Sequence, residues 1–72
     1  MYRVLYFKLD SASNKRNINK YLRDLKCTRN ERRQKTYENE EIMISLDKKI
    51  VTAIIYDDKN MNCINQLNNI FT

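Results

Sequence analysis

The stretch from Ile42 to Tyr56, which reads IMISLDKKIVTAIIY, decides the fold. In residues 42–46, isoleucine and leucine alternate with methionine and serine, and residues 50–56 are β-branched or apolar almost throughout. Both patterns are typical of β-strands. Because only three polar residues separate the two runs, we expect a hairpin. Its second strand is apolar on both faces, which predicts a central position in the sheet.

The residues before this hairpin predict a strand followed by a helix. Residues 3–9 alternate in polarity, with Leu5, Phe7 and Leu9 on one face, as in a strand with one buried side. The polar residues 10–13 then supply N-cap candidates. An apolar stripe follows at the i, i+3, i+4 and i+7 positions of a helix. The stripe consists of Ile18, Tyr21, Leu22 and Leu25.

The remaining segments complete a small α+β fold. Asp57 or Asp58 is the expected N-cap of a second helix. Residues 28–35 carry no periodic apolar residues and are expected to form a solvated, basic connection. The order β-α-β-β-α predicts one domain over residues 1–72, a three-stranded antiparallel or mixed sheet with two helices on one face. This is a truncated ferredoxin-like fold, with the first strand beside the last and one sheet edge open. The apolar stripe of the second helix consists of Met61, Ile64, Leu67 and Phe71.

The composition argues against a self-sufficient enzyme. The chain has no histidine and no glycine, so it lacks a neutral-pH acid or base and a phosphate-cradling glycine loop. Cys27 and Cys63 lack the spacing of a metal or redox motif and are interpreted as reduced thiols. Asp10 is expected at the opposite end of the sheet from Asp57 and Asp58, too far away to share a metal with them. We therefore expect no catalytic site, no cofactor and no metal.

The composition also bears on location and assembly. No apolar run approaches the ~20 residues of a membrane span, and no targeting signal is recognisable, which favours a reducing cytoplasm. Asparagine, lysine, isoleucine and tyrosine supply 31 of the 72 residues. Their AT-rich codons suggest an AT-rich source, such as a phage or another mobile element. A core this small favours a partner, so we expect a homodimer that uses the open sheet edge.

Positive charge is concentrated in one segment. Residues 15–35 contain nine basic residues against two acidic ones, whereas residues 36–72 contain six acidic residues against three basic ones. Such a basic segment attracts phosphates, and an aromatic residue beside it is suited to stack on a base. A solvated helix face and a polar loop are the alternative interpretation. The candidate partner-binding residues are Lys15, Arg16, Lys20, Arg23, Arg29, Arg32, Arg33, Lys35 and Tyr37.

An acidic cluster follows the basic segment directly. It consists of Glu38, Glu40 and Glu41. One interpretation is that it mimics phosphates on a nucleic-acid-binding partner. The other is that these charges keep the adjoining apolar hairpin from aggregating. The two roles are compatible.

The N-terminal half of the chain resembles a known family. A strand ending in Asp10, the turn Asn14-Lys15-Arg16 and the run from Arg33 to Glu38 look like the small ferredoxin-fold CRISPR-adaptation proteins and their toxin relatives of the VapD type. The resemblance implies a dimer in which Asp10 is paired across the axis in a metal-dependent nuclease site. It also implies basic surfaces that hold nucleic acid.

Three functional hypotheses follow from these patterns. The leading one is a non-catalytic binding protein, encoded by a phage or mobile element, that regulates or inhibits a nucleic-acid-handling host system. Such a protein docks on a host protein or nucleoprotein complex through the basic helix-loop segment, as an inhibitor of CRISPR immunity would. The first alternative is a regulator that binds DNA or RNA directly. The second is a metal-dependent nuclease dimer centred on Asp10.

Overall fold

The computed structural model describes residues 1–71, which form five strands and two helices. Neither helix is long and apolar enough to cross a membrane. The elements are β1 (Arg3–Lys8), α1 (Ala12–Leu22), β2 (Lys26–Asn30), β3 (Gln34–Glu38), β4 (Ile42–Asp47), β5 (Ile50–Ile55) and α2 (Met61–Ile70).

The five strands form one antiparallel sheet in the order β1-β5-β4-β3-β2. β4 and β5 form the expected hairpin, and β5 lies between β4 and β1, so these two predictions are confirmed. The three-stranded, truncated ferredoxin-like sheet is wrong. A second hairpin, β2–β3, lies alongside β4, and α1 connects β1 at one edge of the sheet to β2 at the other.

The β2–β3 hairpin replaces the solvated connection expected over residues 28–35. Every residue of β2 is exposed, and Tyr37 of β3 is the hairpin residue that packs against the core. Alternating hydrophobicity reflects the burial of every second side chain, so a strand that buries none leaves no such pattern in the sequence. Backbone pairing of β3 with β4 and the contact of Tyr37 with the core hold the hairpin in place.

One face of the sheet carries the whole buried core. Both helices pack on this face, as predicted, and Phe7 of β1 stacks on Phe71 with ring centroids 4.5 Å apart. Intervening strand residues point to the other face, which no helix of the described chain covers; we call it the open face. The buried core residues are Leu9, Ile18, Leu22, Ile42, Ile44, Val51, Ala53, Ile55, Cys63, Ile64 and Leu67.

The ends of the helices differ in part from the prediction. The Ser11 hydroxyl accepts a hydrogen bond from the backbone N–H of Asn14 at 3.1 Å, which is an N-cap within residues 10–13 as expected. The cap of α2 is Asn60, and the assignment to Asp57 or Asp58 is wrong. The Asp57 carboxylate instead accepts from the N–H of Lys59, so it closes a turn just before the helix.

The predicted stripe of the first helix is one turn too long. α1 ends at Leu22, and Leu25 packs partly against the core from beyond the helix. The sheet also has two edges without a neighbouring strand in residues 1–71, namely β1 and β2, where one was expected. The homodimer stays a prediction.

Candidate functional site

Two hairpin turns meet at one end of the sheet. Gln34 pairs with Asp47, so the β2–β3 turn at residues 31–33 lies beside the β4–β5 turn at residues 48–49. The tight β4–β5 turn holds Lys48 at a φ of 56°, in the left-handed region. Cations that are far apart in the sequence are therefore neighbours at this end of the sheet.

A concavity of 250 Å³ between these turns is lined by four cations and one leucine. The cations are Arg32, Arg33, Lys35 and Lys48, which we call the basic turn cluster. All four residues are exposed. Within the described chain, no carboxylate lines the concavity. The cluster thus presents a concentrated positive charge that attracts anions.

The neighbouring ion pair does not neutralise the cluster. Arg29 Nη2 lies 3.1 Å from Glu31 Oε1, and both side chains are more than half exposed. Such a surface pair contributes little to stability and exchanges readily with solvent or a ligand. No other ion pair occurs among residues 1–71, so none of the four cluster cations is paired with a carboxylate.

The chemistry of the cluster suits phosphate groups. Two guanidinium groups each offer a planar fork that matches two phosphate oxygens, and two ammonium groups act as compact point charges. Leu46 lines the same concavity and adds an apolar surface beside the aliphatic parts of the lysine and arginine side chains. A phosphodiester or phosphomonoester placed in the concavity would meet several donors at once.

The four α1 candidates lie apart from this cluster. Three of them are exposed on α1, namely Lys15, Arg16 and Lys20, and Arg23 forms the C-cap of that helix. None of the four is among the described residues that line the concavity. Lys20 instead lines a groove with Tyr21 and residues of α2. The fold therefore divides the predicted basic segment into a helix part and a turn part.

Tyr37 does not lie beside a solvated loop. It belongs to β3, pairs with Ile44 of β4 and packs partly against the core. Its ring is therefore less available for stacking on a base than the sequence suggested. Packing against the core is its observed role.

No family model, curated protein or solved structure matches this chain. The resemblance of the N-terminal half to the CRISPR-adaptation proteins stays a prediction. The ferredoxin-like fold that this resemblance implied is not the observed fold.

An acidic concavity lies at the other end of the sheet. Its volume is 560 Å³, and the β3–β4 turn forms much of its wall. Glu38 is partly fixed here, because its carboxylate accepts a hydrogen bond from the Tyr56 hydroxyl at 2.8 Å, which raises the pKa of Tyr56. Basic and acidic charges are thus separated along the strands. The acidic concavity is lined by Asp24, Lys26, Thr28, Glu38, Asn39, Glu40 and Glu41.

Glu41 ties the acidic turn to α2. Its Oε2 accepts hydrogen bonds from Asn60 Nδ2 at 3.0 Å and from Cys63 Sγ at 3.4 Å. These hydrogen bonds, the one from Asn60 foremost, lower the pKa of Glu41. Burial, together with the bond to Glu41, raises the pKa of Cys63. The thiol is therefore a protonated donor and is poorly suited to act as a nucleophile.

The aspartates considered as metal ligands are far apart, as expected. Lys8 pairs with Ile50 near Asp10, whereas the N–H of Asp58 donates to the carbonyl of Met1 at the other end of the same strand pair. Among residues 1–71, no group of three or more aspartate, glutamate or cysteine side chains is placed to hold a metal ion.

Lys48 is the site residue that sequence reasoning missed. The predicted β4–β5 hairpin placed it in a turn, but the neighbouring turn was expected to be an irregular connection. Pairing of β3 with β4 is what brings Lys48 to Arg32 and Arg33. Had residues 34–38 been predicted as a strand paired with β4, Lys48 would have been placed beside Arg32 and Arg33.

Proposed function

We propose that this protein is a small, non-catalytic binding protein that regulates a nucleic-acid-handling system by binding phosphates through the basic turn cluster. The observation that carries the proposal is the set of four cations around one 250 Å³ concavity that has no acidic residue in its described lining. Phosphates of the nucleic acid, free or held within a nucleoprotein complex, are the groups contacted. A phage or mobile-element protein that inhibits a host defence system is one example of this function.

Phosphate is favoured over other anions because four cations lie close together and the planar guanidinium group of each arginine matches two phosphate oxygens. Nucleic acid presents a continuous row of phosphates, and each lysine or arginine contact releases counterions and adds affinity. The cluster cations are exposed, so binding costs little desolvation of buried groups. The net charge of +5 adds a favourable long-range field.

A second candidate surface is the acidic concavity. It places Glu38, Glu40 and Glu41 on one wall, opposite in sign and in position to the basic turn cluster. A protein that handles nucleic acid carries a basic surface that these carboxylates would match. Docking on such a protein is the second candidate function, in which the chain contacts protein at one end and nucleic acid at the other.

The proposal is tested by reversing charge at the cluster and, as a matched control, on α1. One variant carries Arg32→Glu and Arg33→Glu, and the control carries Arg16→Glu and Arg23→Glu. Both variants change the net charge equally, and all four arginines are exposed, so both should fold. Binding of fluorescently labelled DNA and RNA is measured by anisotropy at low salt, alongside thermal melting.

We expect the cluster variant to lose binding while the α1 variant keeps most of it. Equal loss in both variants would mean that net charge, and not the cluster, attracts the ligand. If the unmodified protein binds no nucleic acid but captures a protein whose binding depends on Glu40, the second candidate replaces the first.

A further inference from the structure

The open face of the sheet carries exposed aromatic side chains that the core does not use. Tyr6 is 71% exposed, Tyr2 is 67% exposed and Tyr56 is 41% exposed. Alternation along β1 puts Tyr6 opposite in direction to Leu5 and Phe7, which pack against the core. Extending the β1–β5 register by one residue sets Tyr2 beside Tyr56. The three most exposed tyrosines among the described residues therefore share this face.

A transverse row of polar side chains crosses the open face from Tyr6. Successive pairings join Tyr6 to Thr52, Thr52 to Ser45, Ser45 to Thr36 and Thr36 to Arg29. The row spans all five strands, about 19 Å at the usual spacing between strands. It has an aromatic ring at one end, three hydroxyl groups in the middle and a guanidinium group at the other.

We propose that the open face binds single-stranded nucleic acid, with a base stacked on Tyr6 and the phosphates reaching Arg29 and the two arginines of the β2–β3 turn, Arg32 and Arg33. Aromatic rings on a sheet stack on unpaired bases, which a duplex conceals. Hydroxyl groups are both donors and acceptors, so the central row can meet base edges of any type. The inference rests on the proposed function and specifies the form of nucleic acid.

A second copy of the chain fits this face less well. The centre of a stable dimer interface is apolar and depleted in charge. Here the row from Tyr6 to Arg29 consists largely of hydroxyl groups, and the adjoining row carries Val4, Ile54 and Met43. Charged residues lie on the same face around both rows, namely Lys8, Asp47 and Arg29. Burying these charges against an identical surface would leave them without matched partners, whereas a nucleic-acid strand meets the cations with phosphates and leaves the carboxylate in water.

The test uses Tyr6→Ala, with Tyr6→Phe and Met61→Ala as controls. Tyr6→Phe keeps the ring, and Met61 is an exposed apolar residue of α2, on the other side of the molecule. The probes are labelled DNA and RNA single strands of about 12 nucleotides and the matching DNA duplex. Because the chain has five tyrosines and no tryptophan, its fluorescence comes from tyrosine, and quenching that is corrected for absorption by the nucleic acid and is lost in Tyr6→Ala reports stacking on the open face.

We expect the single strands to bind more tightly than the duplex and to quench tyrosine fluorescence. Tyr6→Ala should weaken single-strand binding about tenfold or more, with duplex binding unchanged, while both controls bind like the unmodified protein. The DNA and RNA arms show which sugar is preferred.

Three results would overturn the inference. If Tyr6→Ala binds single strands normally while the Arg32 and Arg33 charge reversal abolishes binding, the open face is not the platform and the proposed function stands. If no probe binds the unmodified protein, the proposed function fails as well. If the protein sediments as a dimer that Tyr6→Ala dissociates, the open face is a self-association surface.

Discussion

Replacing Tyr37 with alanine should destabilise the protein strongly, because the structure places this residue in β3 against the core. A tyrosine that is completely buried removes about 150–250 Å² from water, which at roughly 25 cal/mol per Å² is about 4–6 kcal/mol. Tyr37 is partly buried, so about half of that, roughly 2–3 kcal/mol, is the expected loss. A domain of this size has only about 3–5 kcal/mol of stability to lose.

Urea unfolding followed by circular dichroism measures this loss, with Tyr6→Ala as the matched control. Both changes remove the same side chain, but Tyr6 is 71% exposed and should cost less than about 0.5 kcal/mol. The slope of the transition should be unchanged in both variants if the unfolded state is the same. Equal effects of the two substitutions, or a negligible effect of Tyr37→Ala, would refute the assignment of residues 34–38 to a core-packed strand.

Three further predictions concern stability. Leu22→Ala should cost about 2–5 kcal/mol of unfolding free energy and Leu25→Ala less, because Leu22 is 5% exposed within α1 whereas Leu25 is only partly buried beyond the helix. Urea unfolding that ranks the two variants the other way would contradict the helix boundary. Burial raises the pKa of Tyr21, which favours its neutral form in the fold, so its contribution is present below the ordinary pKa of about 10 and is lost as the pH rises above it. Tyr21→Phe should remove part of this alkaline loss in urea midpoints measured from about pH 9 to pH 11, and identical profiles would count against it. Lys48→Gly should raise stability by about 0.5 kcal/mol in thermal melts, because glycine adopts a φ of 56° without strain, and a lower melting temperature would contradict this.

The apolar parts of the fold could be predicted from the sequence. The β4–β5 hairpin and the central position of β5 follow from a run of β-branched residues that is buried at alternate positions. The first strand and both helices follow from clear periodicity in the same way. These elements contain most of the core residues, and the burial of one face of a strand or helix produces a periodic pattern of apolar residues in the sequence.

The β2–β3 hairpin could not be predicted by the same reasoning. Its strands depend on backbone pairing with β4 and on Tyr37, and the side chains of β2 are exposed throughout. Strand pairing is a long-range property that local sequence does not encode. The cap of α2 was misassigned for a local reason. Aspartate is favoured both at helix N-caps and in turns, and Asp57 lies in the turn that precedes the helix.

The candidate site was predicted only in part. The basic segment was visible as charge, and Arg32, Arg33 and Lys35 were among the predicted residues. Their convergence with Lys48 depends on the missed strand pairing. Charge composition therefore suggested the chemistry of the proposed ligand, and the sheet topology shows which cations lie together.

The most direct test of the central claim is the salt dependence of nucleic-acid binding. Each phosphate contact contributes a slope of about −0.9 for duplex DNA and about −0.7 for a single strand in a plot of log affinity against log salt. Contacts from all four cations of the basic turn cluster would give slopes of about −3.6 and −2.8 respectively. Replacing Arg32 and Arg33 with glutamine should then reduce these slopes by about half. A variant whose slope equals that of the unmodified protein would contradict the claim that the basic turn cluster binds phosphates.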